Sequence, residues 1–299
     1  MMIPSLVLLL AMSGPVTESD ALRVMTWNVH YFVPVTVNAE GKVVTAPGGA
    51  ESVIAGIVTA AQRYNLDVIA LQEATPRKHV MEAARRLGWQ VRWFRGAWTG
   101  DGWKQGFPGA ILTRLPILES RDRPDLEPYS IDDAFSRTFG EVVVTHRGSP
   151  LVLMTVHLLP SWKNTAHIRL REIAAVERAA QRHRNLNRSV IVMGDANHQP
   201  GTPEYEAWVQ AGFTDSYLAS GGDPVGGWTC PSTGLTERID YIWVTGPLSN
   251  QVLEARALAD DEFHVDRDSP GDGALSDHVP VFTVLGSRVR PSVGQSDKH

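Results

Sequence analysis

From Leu22 onward, short apolar runs alternate with helical or polar segments. LRVMTWNV, starting at Leu22, is rich in β-formers and follows a polar stretch, which predicts a strand. Between residues 50 and 63, Val53, Ile54, Ile57, Val58 and Ala61 recur at helical spacing. DVIALQE predicts a buried strand. Residues 77 to 87 predict a helix closed by Gly88, a residue free to take the left-handed conformation that ends helices. WQVRWF and GAILTR predict the next strands. FGEVVVTH and LVLMTVHL flank Arg147, Gly148, Ser149 and Pro150, which is hairpin chemistry. Residues 164 to 184 predict a long helix, with Ile168, Leu170, Ile173 and Val176 set among Arg and Glu. SVIVMGD is a strand. Thr202, Pro203 and Glu204 suit the cap, first position and first turn of a short helix that stops at Gly212. RIDYIWV and VPVFTVL are late strands, and a polar tail follows Ser287.

No repeat of fixed period and no low-complexity linker interrupts this order. Strands outnumber helices and are often hairpin-linked. That favours two packed sheets with helices outside over a doubly wound parallel sheet. At 299 residues, 43% hydrophobic and 20% charged, the chain is long enough for one large core. The expected division is an N-terminal extension over 1–20, a folded domain over 21–287 and a tail over 288–299. The apolar run from Ile3 to Met12 is too short for a transmembrane helix and fits the apolar region of a secretory signal, although no Lys or Arg precedes Leu6. A secreted or periplasmic location is therefore expected, with no transmembrane span. The lone cysteine, Cys230, excludes an intramolecular disulfide, so stability must come from packing. A net charge of -5 argues against tight, salt-sensitive gripping of a nucleic-acid backbone.

Polar residues recur where apolar strands end: Asn28 in TWN, Glu73 in LQE, His157 in TVHL, Asp195 and Asn197 in GDAN, Asp240 in RIDY, Asp277 and His278 in SDH. Strand ends are rigid platforms, and several facing one cleft would build an oxygen-rich site. Such ligands suit Mg²⁺, Mn²⁺ or Ca²⁺, whereas thiolate zinc is excluded by the single cysteine. Any one of these residues alone reads first as a turn or cap residue; the ordered set is what points to chemistry.

The series TWNVH, LQE, GAILTRLPI, TVHL, GDANHQP, RIDYI, SDHVPV resembles the endonuclease/exonuclease/phosphatase superfamily, from about Arg23 to Val284. The resemblance implies an α+β fold: a four-layer α/β/β/α sandwich of two packed, mainly antiparallel sheets with outer helices. It implies a metal-dependent phosphate-ester hydrolase in which activated water attacks directly. In it Glu73, Asn28 and Asp277 resemble the metal residues. Asp195 and Asn197 resemble the pair that orients water and phosphate. His157 resembles a donor to a phosphate oxygen, and Asp240 with His278 an orienting carboxylate and its imidazole. Arg137, in SRTFG, falls where a phosphate-facing residue is expected. Either His278 or Asp195 could serve as general base. The substrate, a nucleic acid, a phospholipid or a small phosphate ester, stays open, and no feature demands an obligate protein partner. A catalytically silent binding module that kept the fold is the alternative, and its signature would be a missing motif residue.

Other features carry two readings each. Trp89, Val91 and Trp93 alternate as in a core-facing strand. Trp98, Trp103 and Phe107 lie in a Gly-rich loop and could stack on a substrate, contact lipid or pack on their own loop. The acids of DDEFHVDRDSPGDG read as a solvated loop, since EF-hand spacing is missing. Arg169, Arg171, Arg178 and Arg182, interleaved with Glu172 and Glu177, read as a solvated helix face. The remaining histidines read as surface or structural, and among them His198 stands out because it follows the GDAN motif directly.

Overall fold

β1 (Leu22–Asn28) is buried at every position but Arg23, as a central strand covered on both faces must be. β2 (Val35–Val37) and β3 (Val43–Thr45) form a small separate ribbon, and α1 (Gly49–Arg63) leads to β4 (Val68–Gln72). Then come α2 (Arg77–Leu87), β5 (Gln90–Phe94), β6 (Gly109–Thr113) and β7 (Ile117–Asp122). β8 (Thr138–His146) and β9 (Ser149–His157) form a hairpin, followed by α3 (Ala166–Arg184) and β10 (Ser189–Asp195). The chain closes through α4 (Pro203–Gln210), β11 (Phe213–Asp215), α5 (Ser216–Ala219), β12 (Asp240–Thr245), β13 (Val252–Ala257) and β14 (Val281–Leu285). This computed structural model describes residues 21–96, 106–122, 135–161, 164–259, 261–265 and 273–286. The signal-like segment, Trp98, Trp103, the acid-rich residues 266–272 and the tail from 287 lie outside the described residues.

Local chemistry sets the element ends. Gly88 closes α2 at φ 67°, and Thr202 Oγ1 accepts from Tyr205 N at 3.3 Å ahead of Pro203 to start α4. The β8–β9 hairpin turns on Arg147 and Gly148, both at positive φ, as a two-residue turn between twisted strands requires.

One six-stranded sheet runs β13-β14-β1-β4-β6-β5 and the other β11-β12-β10-β9-β8-β7. Each is antiparallel except at one pair, β1 with β4 and β9 with β10. A parallel pair needs a crossover, and α1 and α3 supply them. Three apolar clusters separate four layers. Val24, Ile111, Leu153 and Ile191 fill the space between the sheets. Ile57, Val80, Ile69 and Leu71 join the first sheet to α1 and α2, with Trp89, Val91 and Trp93 packed alongside. Val176, Trp208, Val192 and Trp243 join the second sheet to α3 and α4. Each fully buried aliphatic chain here contributes roughly 1.5–3 kcal/mol. The architecture is the expected α/β/β/α sandwich. Among the described residues no helix is long and apolar enough to cross a membrane.

Two expectations need correction. Polar site residues do not all close strands. Asn28, His157 and Asp195 do, but Asp240 opens β12, and Arg137, Asp277 and His278 precede β8 and β14. Antiparallel neighbours explain this: Asp195 lies opposite Asp240, and His157 opposite Thr138, so one strand's end meets the next strand's beginning. The charged stripe of α3 is also not wholly solvated. Arg169 and Glu172 are buried, with Arg169 Nε donating to Glu204 Oε1 at 2.9 Å.

Candidate active site

The site is assembled at the edge where both parallel pairs end. Asn28, the last residue of β1, donates from Nδ2 to Asp195 Oδ2 at 3.1 Å, joining one sheet to the other. Its own carbonyl accepts from Ser276 Oγ at 2.6 Å, and Trp27 Nε1 donates to His278 O at 2.9 Å. These bonds pin residues 276–278 to the end of β1.

Asp195 is the hub. Its Oδ2 lies 3.2 Å from His157 Nε2 and 3.8 Å from His278 Nε2, and its Oδ1 accepts from Asn197 N at 3.0 Å. His278 Nδ1 lies 2.8 Å from Asp240 Oδ2, so the expected carboxylate–imidazole pair is present. The Cys230 thiol hydrogen-bonds the same ring. Asn197 takes φ 51° and donates from Nδ2 to Leu158 O at 3.0 Å, so its amide N–H braces the loop after β9.

Glu73 follows β4 at φ 52°, a strained value for a non-glycine residue. Its Oε1 is 3.6 Å from Arg137 Nη1, and it accepts a hydrogen bond from the Tyr31 phenol. The Arg137 guanidinium lies 3.7 Å over the Phe107 ring and touches His157 Nε2. Arg137 and Asp195 therefore occupy His157 Nε2, and its Nδ1 has no hydrogen-bond partner among the described residues.

Burial dominates the electrostatics, and the charged neighbours decide the outcome. Burial alone would raise the Asp195 carboxyl, but His157, His278 and Arg137 hold it well below the usual range. Burial works against a charged His278, yet Asp240, Cys230 and Asp195 hold the ring well above its ordinary value. Burial and then Arg137 push His157 down to about 4. Burial pushes Glu73 up to about 7 against Arg137, with Asp277 and Asp195 adding to the rise.

Two groupings could hold a cation. Asp195, Asp240 and His278 place possible ligand atoms within 4.8 Å of one another. Two of these residues already bond each other, Asp240 Oδ2 and His278 Nδ1 at 2.8 Å. Glu73 and Asp277 fit better. Their carboxylates repel each other enough to help raise Glu73, and the Asn28 side chain ends the neighbouring strand. Two neighbouring carboxylates beside an amide are the oxygen donors a hard divalent ion suits.

All nine residues singled out in the sequence thus join one network. Sequence reasoning missed Tyr31, Cys230 and Glu172. Phe107, one of the loop aromatics, packs on Arg137 and on His157, with ring centroids 5.9 Å apart in the latter pair. His198 does not face the cleft: it is buried, and its Nε2 accepts from Trp208 Nε1 at 3.1 Å.

Two mixed sheets packed face to face thus gather carboxylates, histidines and an arginine at one edge. The sequence matches the Endonuclease/Exonuclease/phosphatase family over residues 25–278, and the chain belongs to that family. Its members are in general hydrolytic, divalent-metal-dependent phosphoesterases. No curated protein matches the sequence. Solved structures share the fold. A family protein from Leptotrichia buccalis C-1013-b is 17% identical at a TM-score of 0.64, covering 89% of this chain and 100% of its own. One from Bacteroides thetaiotaomicron is 22% identical at 0.63, covering 89% and 97%. D. rerio TDP2, complexed with a single strand DNA product, is 19% identical at 0.64, covering 90% and 100%.

Proposed function

We propose that this protein hydrolyses phosphate esters, with phosphodiesters as the leading class, by direct attack of water activated at Asp195. The observation that carries this reading is the position of the Asp195 carboxylate, between two imidazoles and one asparagine amide. Asp195 is held in its ionised form, the form that can accept a proton from water, though with lowered basicity. His278, held protonated by Asp240, is the wrong form for a base and the right form to donate from Nε2 to a charged phosphoryl or leaving oxygen. That favours Asp195 over His278 as the base. Arg137 offers a planar cation for phosphate oxygens, which would compete with Glu73 and His157 for it. Glu73, Asp277 and Asn28 would hold a divalent ion, Mg²⁺ with Mn²⁺ or Ca²⁺ as substitutes. When bound it supplies charge neutralisation at the phosphoryl and leaving oxygens. No covalent nucleophile is needed. The apolar run from Ile3 to Met12 supports a secreted or periplasmic setting.

The test is hydrolysis of bis-p-nitrophenyl phosphate with Mg²⁺, Mn²⁺ or EDTA. Activity is expected with metal and not with EDTA, and Asp195→Asn is expected to lose about a thousandfold or more in kcat. Turnover unchanged in Asp195→Asn would remove it as the base. A panel of DNA oligonucleotides, RNA, sphingomyelin and inositol phosphates then names the substrate. DNA heads that panel because TDP2 was solved with a DNA product.

A further inference from the structure

β8 and β9 pair up to the Thr138–His157 rung and then part. Just beyond that rung, Ser136 precedes Arg137 and Leu159 follows His157 by two residues. Neither Ser136 N nor Leu159 N has a strand partner there. Both find the same buried carboxylate. Glu172 Oε1 accepts from Ser136 N at 2.8 Å and from Ser136 Oγ at 2.5 Å, and Oε2 accepts from Leu159 N at 3.0 Å. We propose that Glu172 is a positioning residue: from the inner face of α3 it bridges the parted ends of β8 and β9 and so sets Arg137 against His157 in the cleft.

Several observations support the bridge. Glu172 is 3% exposed, and burying a carboxylate is costly unless it is fully hydrogen-bonded. Here both oxygens are engaged. Only a carboxylate offers acceptors at both positions; a glutamine amide would turn a donor toward Ser136 or toward Leu159. The helix beneath is rigidly seated, with Ile173 and Val176 in the core of the second sheet. One turn earlier Arg169 Nη1 donates to Leu159 O at 3.2 Å and to Pro160 O at 2.9 Å. α3 therefore holds Leu159 by both its N–H and its carbonyl. Glu172 touches no reacting atom, and its effect passes through the two side chains it places.

This inference rests on the use of Arg137 and His157 in the proposed hydrolysis, and a mutant cycle separates the two. Turnover of bis-p-nitrophenyl phosphate is measured for Glu172→Gln in the full chain and in an Arg137→Ala/His157→Ala background. In the full chain, kcat/KM is expected to fall by about 100-fold, mostly in kcat, through misplacement of the two side chains. In the double-alanine background the same substitution should cost less than about twofold, since nothing remains to be misplaced. A merely structural role would cost the same in both backgrounds, and that result overturns the proposal. Full activity in Arg137→Ala/His157→Ala alone overturns it through its premise, and shows itself before Glu172 is altered. Should Glu172→Gln fail to fold, Ser136→Ala removes one of the three bonds with little change to the core. It is expected to lower kcat about fivefold with Arg137 and His157 present and not at all without them. Unchanged kcat in that variant also overturns the proposal.

Discussion

His198 is expected to make the fold sensitive to mild acid. The ring is buried between α4 and β12, stacked on Tyr241 with centroids 5.2 Å apart. Its Nε2 accepts the Trp208 indole N–H at 3.1 Å. Protonation would set a donor against that donor in a place water does not reach. Burial, the leading cause, pushes the ring from 6.5 down to about 4, with Arg169 adding and Gln199 and Glu204 opposing. The folded state therefore binds the proton less readily than the unfolded chain. Stability contributed by the neutral ring is complete above the unfolded value and is lost progressively as pH falls toward the folded one. At about 1.4 kcal/mol per pKa unit, the loss between about pH 7 and pH 5 is roughly 2 kcal/mol. Glutamine at this position can present its oxygen near the site of Nε2 without titrating. Urea unfolding of the wild type and His198→Gln at both pH values checks the difference. His157 is depressed in the same direction, but it is present in both proteins and cancels. Parallel pH dependences in the two proteins would refute the argument.

Glu73→Ala should cut metal-dependent turnover by orders of magnitude while leaving the circular dichroism spectrum and Tm close to wild type; full activity at low Mg²⁺ would remove Glu73 from the metal set. Asp240→Asn should lower kcat by about a thousandfold, because the amide no longer supports the charged His278 ring at the 2.8 Å contact; steady-state assay of the folded variant decides it. Gly194→Ala should destabilise by more than about 3 kcal/mol in chemical denaturation, since a Cβ there would fall on the carbonyl oxygen of Val156. Its φ of 150° adds to the strain of any side chain at that position.

Helices were legible because their apolar positions recur on one side. The spans read at 50–63, 77–87 and 164–184 meet observed helices at Gly49–Arg63, Arg77–Leu87 and Ala166–Arg184. Strand placement was legible for the same reason, but strand direction was not. Nothing local tells Asp195, which ends β10, from Asp240, which begins β12, and only antiparallel pairing brings them level. The ribbon of β2 and β3 is mostly exposed and left little apolar signal to read. Arg169 and Glu172 read as solvated on their charge, yet both are buried. Their spacing to Ile173 and Val176 already put them on the apolar side of α3, and a charge on that side is either an error of folding or a buried pair. That these residues gather at one edge follows from the order of motifs, whereas their contacts join elements remote in the chain. Asn28 reaches Asp195 across the two sheets over 167 residues, and Asp240 meets His278 over 38. Burial, with Arg137, lowers His157; against burial, Asp240 lifts His278, and His157, His278 and Arg137 keep Asp195 ionised. These effects turn a set of polar strand ends, each unremarkable as a turn residue, into groups with distinct protonation states. The choice between Asp195 and His278 as base therefore belongs to the packing of the sheets against each other, and no pattern confined to either motif could have made it.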